Sequence, residues 1–209
     1  MTSYARQERA RLADALLAAG PDAPTLCTGW TARDLAAHLV VRERRPDTAL
    51  GMVIPPLAGH GEHVRKQKAA EPFEKVVEEF RRPPWWSPTS NPLVHDAANS
   101  GEFFIHHEDV RRGAEGWAPR ELDAAEQQQL WRFAKFGARL ALRKLHAPVL
   151  VRAPGLGELS VGSGDPVATL TGSPSELVMF VSGRQRAARV EIEGSPEVVE
   201  RLRTGRFGI

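Results

Sequence analysis

Cysteine is nearly absent from this sequence of 209 residues, because Cys27 is the only one. A single thiol excludes an internal disulfide framework, which fits a reducing cytoplasm. No apolar run approaches the roughly 20 residues that a membrane-spanning helix needs. The opening segment MTSYARQERARLADALL lacks the apolar core of a signal peptide. The sequence therefore predicts a soluble, cytoplasmic protein that does not enter a membrane.

The sequence also lacks an excess of charge of one sign, since it has 28 basic and 26 acidic residues and a net charge of +2. A nucleic-acid-binding surface needs a basic stripe with interleaved aromatic residues, and we find no such pattern, so no nucleic-acid partner is expected. Glycine-rich phosphate loops, dinucleotide-binding loops and G-x-S-x-G are absent as well. Because one cysteine cannot form a thiolate cluster, a metal site has to rely on histidine and carboxylate ligands.

Helical periodicity dominates the first two-thirds of the chain. Thr31 with Asp34, and Asp123 with Glu126, have the spacing of capping boxes that begin two of these helices. The helices are predicted over 3–19, 31–45, 73–80, 93–112 and 123–145.

The residue pattern changes after residue 148, from helical periodicity to short strand-like segments. The segments VLVRA, GELSVG, PVATLTG and ARVEIEG look like short strands separated by glycine turns, and two short helices lie among them. Strands after helices predict the α+β fold class. We place the boundary near residue 146, with a helical domain over 1–146 and a small α/β domain over 147–209.

The helix predicted over 93–112 carries the sharpest chemical signal. Glu102 and His106 are four positions apart, so their side chains share one helical face. Apolar residues flank this face on both sides, which indicates a polar stripe that points into the bundle, where unpaired polar groups are costly. The other members of the stripe are His95, Asn99 and Asp109. The residues predicted to face solvent are Asp96, Ser100, His107 and Arg111.

A divalent metal ion is one partner that such a stripe can hold. Two ligands four residues apart have the spacing of helical metal sites, and a third ligand has to come from another helix. His38 is the best candidate, because it lies between Leu35 and Leu39 on the predicted core face of its helix. Two histidines and one carboxylate leave a coordination position open, as catalytic sites do. The alternatives are a solvated Glu102–His106 ion pair and a core histidine that is only hydrogen-bonded.

The segment WTARDLAAHL at 30–39 is followed downstream by Glu102-x-x-x-His106-x-x-Asp109. Together these motifs resemble the mycothiol-dependent maleylpyruvate isomerase family, which belongs to the DinB-like metal-binding bundles. The segments from Ser173 to Arg184 and ARVEIEGSPEVVERL look like the small α/β domain of that family. The resemblance implies a DinB-like up-and-down four-helix bundle followed by this domain.

The resemblance also implies the roles of individual residues. His38, Glu102 and His106 would bind a divalent metal, either Zn²⁺ or else Ni²⁺, Mn²⁺ or Fe²⁺. Asp109 and Arg184 would be the catalytic residues, with Asp109 orienting His106 and Arg184 binding a carboxylate of the cofactor mycothiol or of the substrate. The implied reaction is the attack of a metal-activated thiolate on a small electrophile, as in an S-transferase or a thiol-assisted isomerase. The partners would be a small thiol and a small-molecule electrophile, and the chain would be a monomer or a homodimer.

Two other function classes use the same ligands. A bundle could hold the ion for stability or sensing without turnover, and it would then need a fourth ligand such as His95 or Asp109. A metal-dependent hydrolase would use a bound water as its nucleophile instead of a thiol.

Three further features of the sequence allow a functional or a structural interpretation. His60 and His63 are spaced for chelation, but the flanking glycines and the lysines that follow indicate a mobile, solvated segment. Trp85 and Trp86 lie in a proline-rich loop and are predicted to pack down as a satellite core rather than to cover a pocket. Cys27 is predicted to be structural, because its nearest helix begins four residues later.

Overall fold

The computed structural model describes residues 3–48, 58–87 and 95–208. Within these ranges the chain forms eight α-helices and one four-stranded sheet, which confirms the α+β class. The chain divides into two compact units, Met1–Pro119 and Arg120–Ile209. None of the helices in the described ranges has the length and the apolar character to span a bilayer.

The first unit is helical throughout. The Thr31 N–H donates to Oδ2 of Asp34 at 3.0 Å, so the predicted capping box at the start of the second helix is confirmed. Gly20 follows the first helix with a φ of +83°, a conformation that favours glycine. The helices are α1 (Tyr4–Ala19), α2 (Ala32–Arg44), α3 (Ala58–Ala69), α4 (Phe73–Arg81) and α5 (His95–Arg111).

Four of these helices share one apolar core, since α1, α2, α4 and α5 all contribute fully buried side chains. Helix α4 confirms the helix predicted over 73–80, and it buries Phe73, Val76, Val77 and Phe80. The rings of Phe80 and Phe103 meet edge to face at 5.4 Å between centroids, which joins α4 to α5. The remaining core residues are Ala5, Leu12, Ala13, Leu16, Ala32, Leu35, Ala36, Leu39, Val40 and Val110.

The second unit begins with a helix that the sequence assigned to the bundle. The capping box of Asp123 and Glu126 starts α6 (Ala124–Leu142), with reciprocal hydrogen bonds of 3.0 and 2.8 Å. This helix packs against α7 (Pro174–Val181) and the sheet of its own unit. The division near residue 119 therefore differs from the predicted boundary at 146, and α4 is the fourth helix of the core in the first unit.

The sheet of the second unit has the strand order β2-β1-β3-β4. Its strands are β1 (Val149–Ala153), β2 (Gly157–Val161), β3 (Ala168–Thr171) and β4 (Glu191–Gly194), and α8 (Pro196–Thr204) follows. Strand β1 pairs antiparallel with β2 and parallel with β3, and β4 pairs antiparallel with β3. Val149, Val151 and Ala153 are buried at every second position, so the alternation typical of a strand with one core face is present in β1.

Candidate metal centre

Helix α2 presents His38 beside its buried face. Leu35 and Leu39 are fully buried, whereas His38 is partly exposed and its ring lies 5.2 Å from that of Trp30. Asp34 at the start of this helix accepts a hydrogen bond from Arg65 at 2.5 Å. Burial raises the pKa of Asp34, but the hydrogen bonds from Arg65 and Thr31 outweigh burial and lower it. An ionised capping group therefore anchors the helix turn that precedes His38.

Helix α5 is buried on almost every side. The solvent-facing arc predicted for this helix is wrong, because Ser3 hydrogen-bonds Asp96 and Glu8 of α1 lies 2.8 Å from Nδ1 of His107. His107 is only 6% exposed, so it is not the surface residue that the sequence predicted. The arc contacts α1 and its N-terminal cap, and the predicted polar stripe faces α2 from another side of the helix.

Glu108 is a buried carboxylate near the end of α5. Nε of Arg112 donates to Oε2 of Glu108 at 2.5 Å, and Arg111 adds a contact at 3.0 Å. Arg112 in turn lies over the ring of Trp117 at 4.4 Å. The charge of Glu108 is thus neutralised within the last two turns of α5, and it takes no part in the cluster around Glu102.

Two of the predicted ligands, His38 and His106, converge on an oxygen atom of the third, Glu102. Oε1 of Glu102 lies 3.4 Å from Nε2 of His38 and 3.3 Å from Nε2 of His106. The two imidazole rings meet edge to face, with 5.2 Å between their centroids. One ligand atom from each of the three residues lies within 4.8 Å of the ligand atoms of the other two. The structure thus brings His38, Glu102 and His106 together from two helices.

These separations suit a metal ion. Donors about 2.0–2.1 Å from a tetrahedral Zn²⁺ are separated from each other by roughly 3.3–3.4 Å. The two Oε1–Nε2 distances at Glu102 have these values. By contrast, the second histidine–carboxylate group in the described residues, Cys27 with His106 and Asp109, has contacts of 3.2 and 2.9 Å, which are ordinary hydrogen-bond lengths. The donor set at Glu102 therefore has separations that fit an ion.

The three side chains of the cluster differ in their exposure to solvent. The side chains of His38 and Glu102 are 31% and 30% exposed, whereas that of His106 is 9% exposed. Solvent and small molecules can reach the His38 and Glu102 side of the donor set, and the His106 side is closed. An ion held by these three donors would keep a coordination position that a ligand from solution can occupy.

The three donors differ in protonation. Burial lowers the pKa of His38, and the charges of His106 and Arg42 act in the same direction. Burial disfavours ionised Glu102, but hydrogen bonds from His106 and His38 hold its pKa well below the usual value. Burial also disfavours charged His106, yet its hydrogen-bonding partners, with Asp109 first among them, raise its pKa well above the usual value. The pKa shifts thus favour a neutral His38, an ionised Glu102 and a protonated His106.

Asp109 lies behind His106, on the side away from Glu102. Its Oδ2 is 2.9 Å from Nδ1 of His106, and the carboxylate is completely buried. A proton on Nδ1 leaves Nε2 as the nitrogen that can bind a metal. The geometry thus has the form of a carboxylate–histidine pair that orients a metal ligand, and this role of Asp109 stays a prediction.

Sequence reasoning missed two residues at this centre. Cys27 lies 3.2 Å from Oδ2 of Asp109 across 82 positions of sequence, and no local pattern links the two residues. Arg42 lies 3.3 Å from Oε1 of Glu102 and donates to Oδ1 of Asn99 at 2.9 Å. The position of Arg42 near the site could have been predicted, because residue 42 is one helical turn beyond His38 on the same face of α2.

The remaining predicted residues lie elsewhere. Arg184 is half-buried in the second unit, where its Nη1 donates to the carbonyl of Ser182 at 2.7 Å, and its role stays a prediction. His60 belongs to helix α3 rather than to a loop, and its Nε2 lies 2.7 Å from Asp47. The packing predicted for the tryptophans is wrong, because Trp85 is 90% exposed and Trp86 is 50% exposed. The side chain of His95 lies outside the described residues.

Comparisons with known proteins bear on the whole chain. Residues 3–179 match the family described as the mycothiol maleylpyruvate isomerase N-terminal domain. The fold is similar to the crystal structure of a mycothiol-dependent maleylpyruvate isomerase, with a TM-score of 0.54 and 15% identity. It is also similar to a histidine-to-alanine mutant of a mycothiol-dependent maleylpyruvate isomerase, with a TM-score of 0.61 and 14% identity.

Each of these alignments covers 93% of this chain and 97% of the other chain. At such identities the likeness concerns the fold alone. Among curated proteins, none matches the sequence. Because the family match spans both compact units up to α7, the resemblance found in the sequence motifs is confirmed. The chain belongs to the mycothiol maleylpyruvate isomerase N-terminal domain family.

Proposed function

We propose that this protein is a metal-dependent enzyme that uses mycothiol as its thiol cofactor, as an S-transferase or a thiol-assisted isomerase. The observation that carries the proposal is the convergence of His38, Glu102 and His106 at distances that suit a metal, with one side open to solvent. The family of the chain and the names of the two similar structures support mycothiol as the thiol.

The chemistry divides between the ion and the protein. A divalent ion, with Zn²⁺ as our first choice, supplies Lewis acidity that keeps a thiol ionised at neutral pH. His38 and His106 offer neutral nitrogen ligands, and the carboxylate of Glu102 offsets one of the two metal charges. Asp109 retains the proton on Nδ1 of His106 and so fixes the orientation of the ring.

The open side of the site determines what can react there. A small electrophile would approach from the exposed side of His38 and Glu102, which is the side on which a bound thiol would lie. Arg42 holds a positive charge 3.3 Å from Glu102, so the mouth of the site favours anionic groups. We assign to Arg184 the binding of a carboxylate of mycothiol or of the substrate.

A structural ion without turnover is less well supported. It would require a fourth protein ligand, and Asp109 is engaged on the far side of His106 by Nδ1 and by Cys27. The exposure of His38 and Glu102 also leaves their side open, whereas a structural zinc is enclosed by protein ligands.

Metal analysis tests the ligand set. We expect stoichiometric zinc in the wild-type protein and its loss in His38→Ala and Glu102→Gln, because each change removes one of three donors. His63→Ala is the matched control, since His63 is exposed on α3, and it should retain the metal. Circular dichroism of each variant checks the fold. Full occupancy in folded His38→Ala would reject the ligand set.

Calorimetry with mycothiol tests the thiol. Binding should occur to zinc-loaded protein and disappear after chelation, and turnover of a small electrophile such as maleylpyruvate should require mycothiol. Turnover by the zinc-loaded protein without any thiol would favour the hydrolase instead. Equal mycothiol binding with and without zinc would contradict the proposed mechanism.

A further inference from the structure

The loop before α2 reaches the back of the proposed metal centre. The N–H of Leu26 donates to the backbone carbonyl of Asp109 at 3.0 Å, so the loop is attached to α5 next to Cys27. A second contact lies in the side chains, where Sγ of Cys27 is 3.2 Å from Oδ2 of Asp109. The same Oδ2 atom is 2.9 Å from Nδ1 of His106. A chain of contacts thus runs from Cys27 through Asp109 to His106.

The carboxylate in the middle of this chain needs its donors. Asp109 is completely buried, and a buried carboxylate that lacks hydrogen bonds is costly. Without a donor to Oδ2 on the far side of His106, the carboxylate could rotate about its Cβ–Cγ bond and lose its alignment with the ring. The thiol donates to this same oxygen atom, which holds Oδ2 in line with Nδ1.

We propose that Cys27 is a positioning residue of the metal centre: its thiol donates to Oδ2 of Asp109 and thereby holds the carboxylate that orients His106. The inference rests on the metal site of the proposed function. Cys27 acts from the Nδ1 side of the imidazole, whereas Nε2 faces Glu102 and the proposed ion. Its sulfur lies close to both Asp109 and His106 on that side of the ring, so we assign it a positioning role rather than that of a ligand or a nucleophile.

Three substitutions of Cys27 separate hydrogen bonding from packing. Ser keeps a donor, Val fills the volume without a donor, and Ala removes both. Zinc affinity is measured by competition with a chelator at fixed pH, and thermal unfolding reports stability separately. We expect Cys27→Val and Cys27→Ala to weaken zinc binding roughly fivefold, and Cys27→Ser to stay within about twofold of wild type. Equal affinities of the wild-type protein and Cys27→Val would overturn the inference.

A double-mutant cycle tests the route of the effect. Asp109→Asn removes the carboxylate that the thiol positions, so the loss of zinc affinity caused by Cys27→Ala should be clearly smaller in that background than in the wild-type protein. Independent effects that multiply would show that Cys27 acts by another route, and they would overturn the inference.

Cobalt substitution tests whether Cys27 is a ligand. The visible and near-ultraviolet spectrum of the Co²⁺-loaded protein should show no sulfur-to-cobalt charge-transfer band, and it should be unchanged in Cys27→Ser. A band that disappears in Cys27→Ser would make Cys27 a ligand and overturn its positioning role. If the wild-type protein binds no zinc, the proposed function fails with the inference, whereas equal binding by wild type and Cys27→Val defeats the inference alone.

Discussion

Gly113 and Pro24 approach so closely that a Cβ atom on Gly113 would stand 2.1 Å from the carbonyl oxygen of Pro24. The same atom would stand 2.7 Å from Cα of Thr25, so the backbone of the loop leaves no space for a side chain. Gly113 follows the end of α5. The loop that packs against Gly113 includes Cys27, whose sulfur contacts Asp109. Close contact at a glycine therefore holds the loop against the helix that bears two of the proposed ligands.

Replacement of Gly113 should displace this loop. We expect Gly113→Ala to lower the free energy of unfolding by about 2 kcal/mol, because an overpacked backbone contact has to open. Zinc affinity should fall as well, since Cys27 moves away from Asp109. Urea unfolding and chelator competition measure the two effects.

Gly59→Ala provides the matched control. A Cβ at Gly59 meets nothing within 4 Å, and the residue lies in helix α3, so alanine should leave stability unchanged or raise it by up to about 1 kcal/mol. Equal stability of Gly113→Ala and Gly59→Ala would show that the loop adapts without cost.

The part of the site that depends on helical periodicity within one segment could be predicted from the sequence. Glu102 and His106 share a face because they are four residues apart, and the cap at Thr31 fixes the position of His38 on α2. The α+β class followed in the same way from runs of helical and strand spacing.

Contacts between distant segments could not be predicted. The side of α5 that carries His107 looks polar enough for solvent, but Glu8 of α1 supplies its partner. Cys27 is placed by a loop that joins α5 only in the folded chain. The packing of α6 against α7 and the sheet is a further contact of this kind, since it joins segments that are distant in the sequence. Packing partners decide such cases, and periodicity does not identify them.

Zinc affinity should depend on pH through His106. Burial opposes its charge, but Asp109 and the other hydrogen-bonding partners raise the pKa of His106 well above the usual value. The ion needs an unprotonated Nε2, so binding displaces a proton wherever the pH lies below this raised pKa. The pKa of Glu102 is lowered and that of His38 is lowered, so neither should release a proton near neutral pH. Affinity should therefore fall as the pH is lowered below the raised pKa of His106, by up to about tenfold per pH unit.

Calorimetry in buffers of different ionisation enthalpy counts the protons released per zinc ion. The wild-type protein should release about one proton from His106. In Asp109→Asn the pKa of His106 should drop, so less than one proton should be released at pH 7. A proton count of zero in the wild-type protein would contradict the raised pKa of His106.

A buried ion pair lies within the core of the first unit. Arg9 of α1 donates to Glu43 of α2 at 2.9 Å and to the carbonyl of Phe80 at 2.6 Å, and its guanidinium lies over the rings of Phe80 and Phe103. Arg9→Met should destabilise the fold by about 3–5 kcal/mol, because Glu43 would remain buried and uncompensated. The free energy of unfolding in urea measures this change.

The double variant Arg9→Met/Glu43→Met separates charge from packing. It removes the unpaired carboxylate as well, so it should recover most of the stability that Arg9→Met loses. Stability of the double variant below that of Arg9→Met would mean that Glu43 supports the fold independently of Arg9.

Arg184 offers the last test, because it separates thiol binding from metal binding. If Arg184 binds a carboxylate of mycothiol, Arg184→Ala should raise the Kd for mycothiol about tenfold or more, since a charge-assisted hydrogen bond to a carboxylate contributes roughly 1.5–3 kcal/mol. Zinc content should not change, because none of the three proposed ligands lies in its unit. Arg184→Lys keeps the charge without the planar fork and should recover only part of the affinity.

Arg186→Ala is the neighbouring control, since residue 186 is an exposed arginine two positions away in the same short turn. A general loss of positive charge in this region would affect both variants equally. We expect the Kd for mycothiol to rise only in Arg184→Ala, because a specific carboxylate contact depends on one guanidinium. An equal rise in both variants would assign the effect to long-range charge, and unchanged affinity in Arg184→Ala would remove this residue from the proposed site.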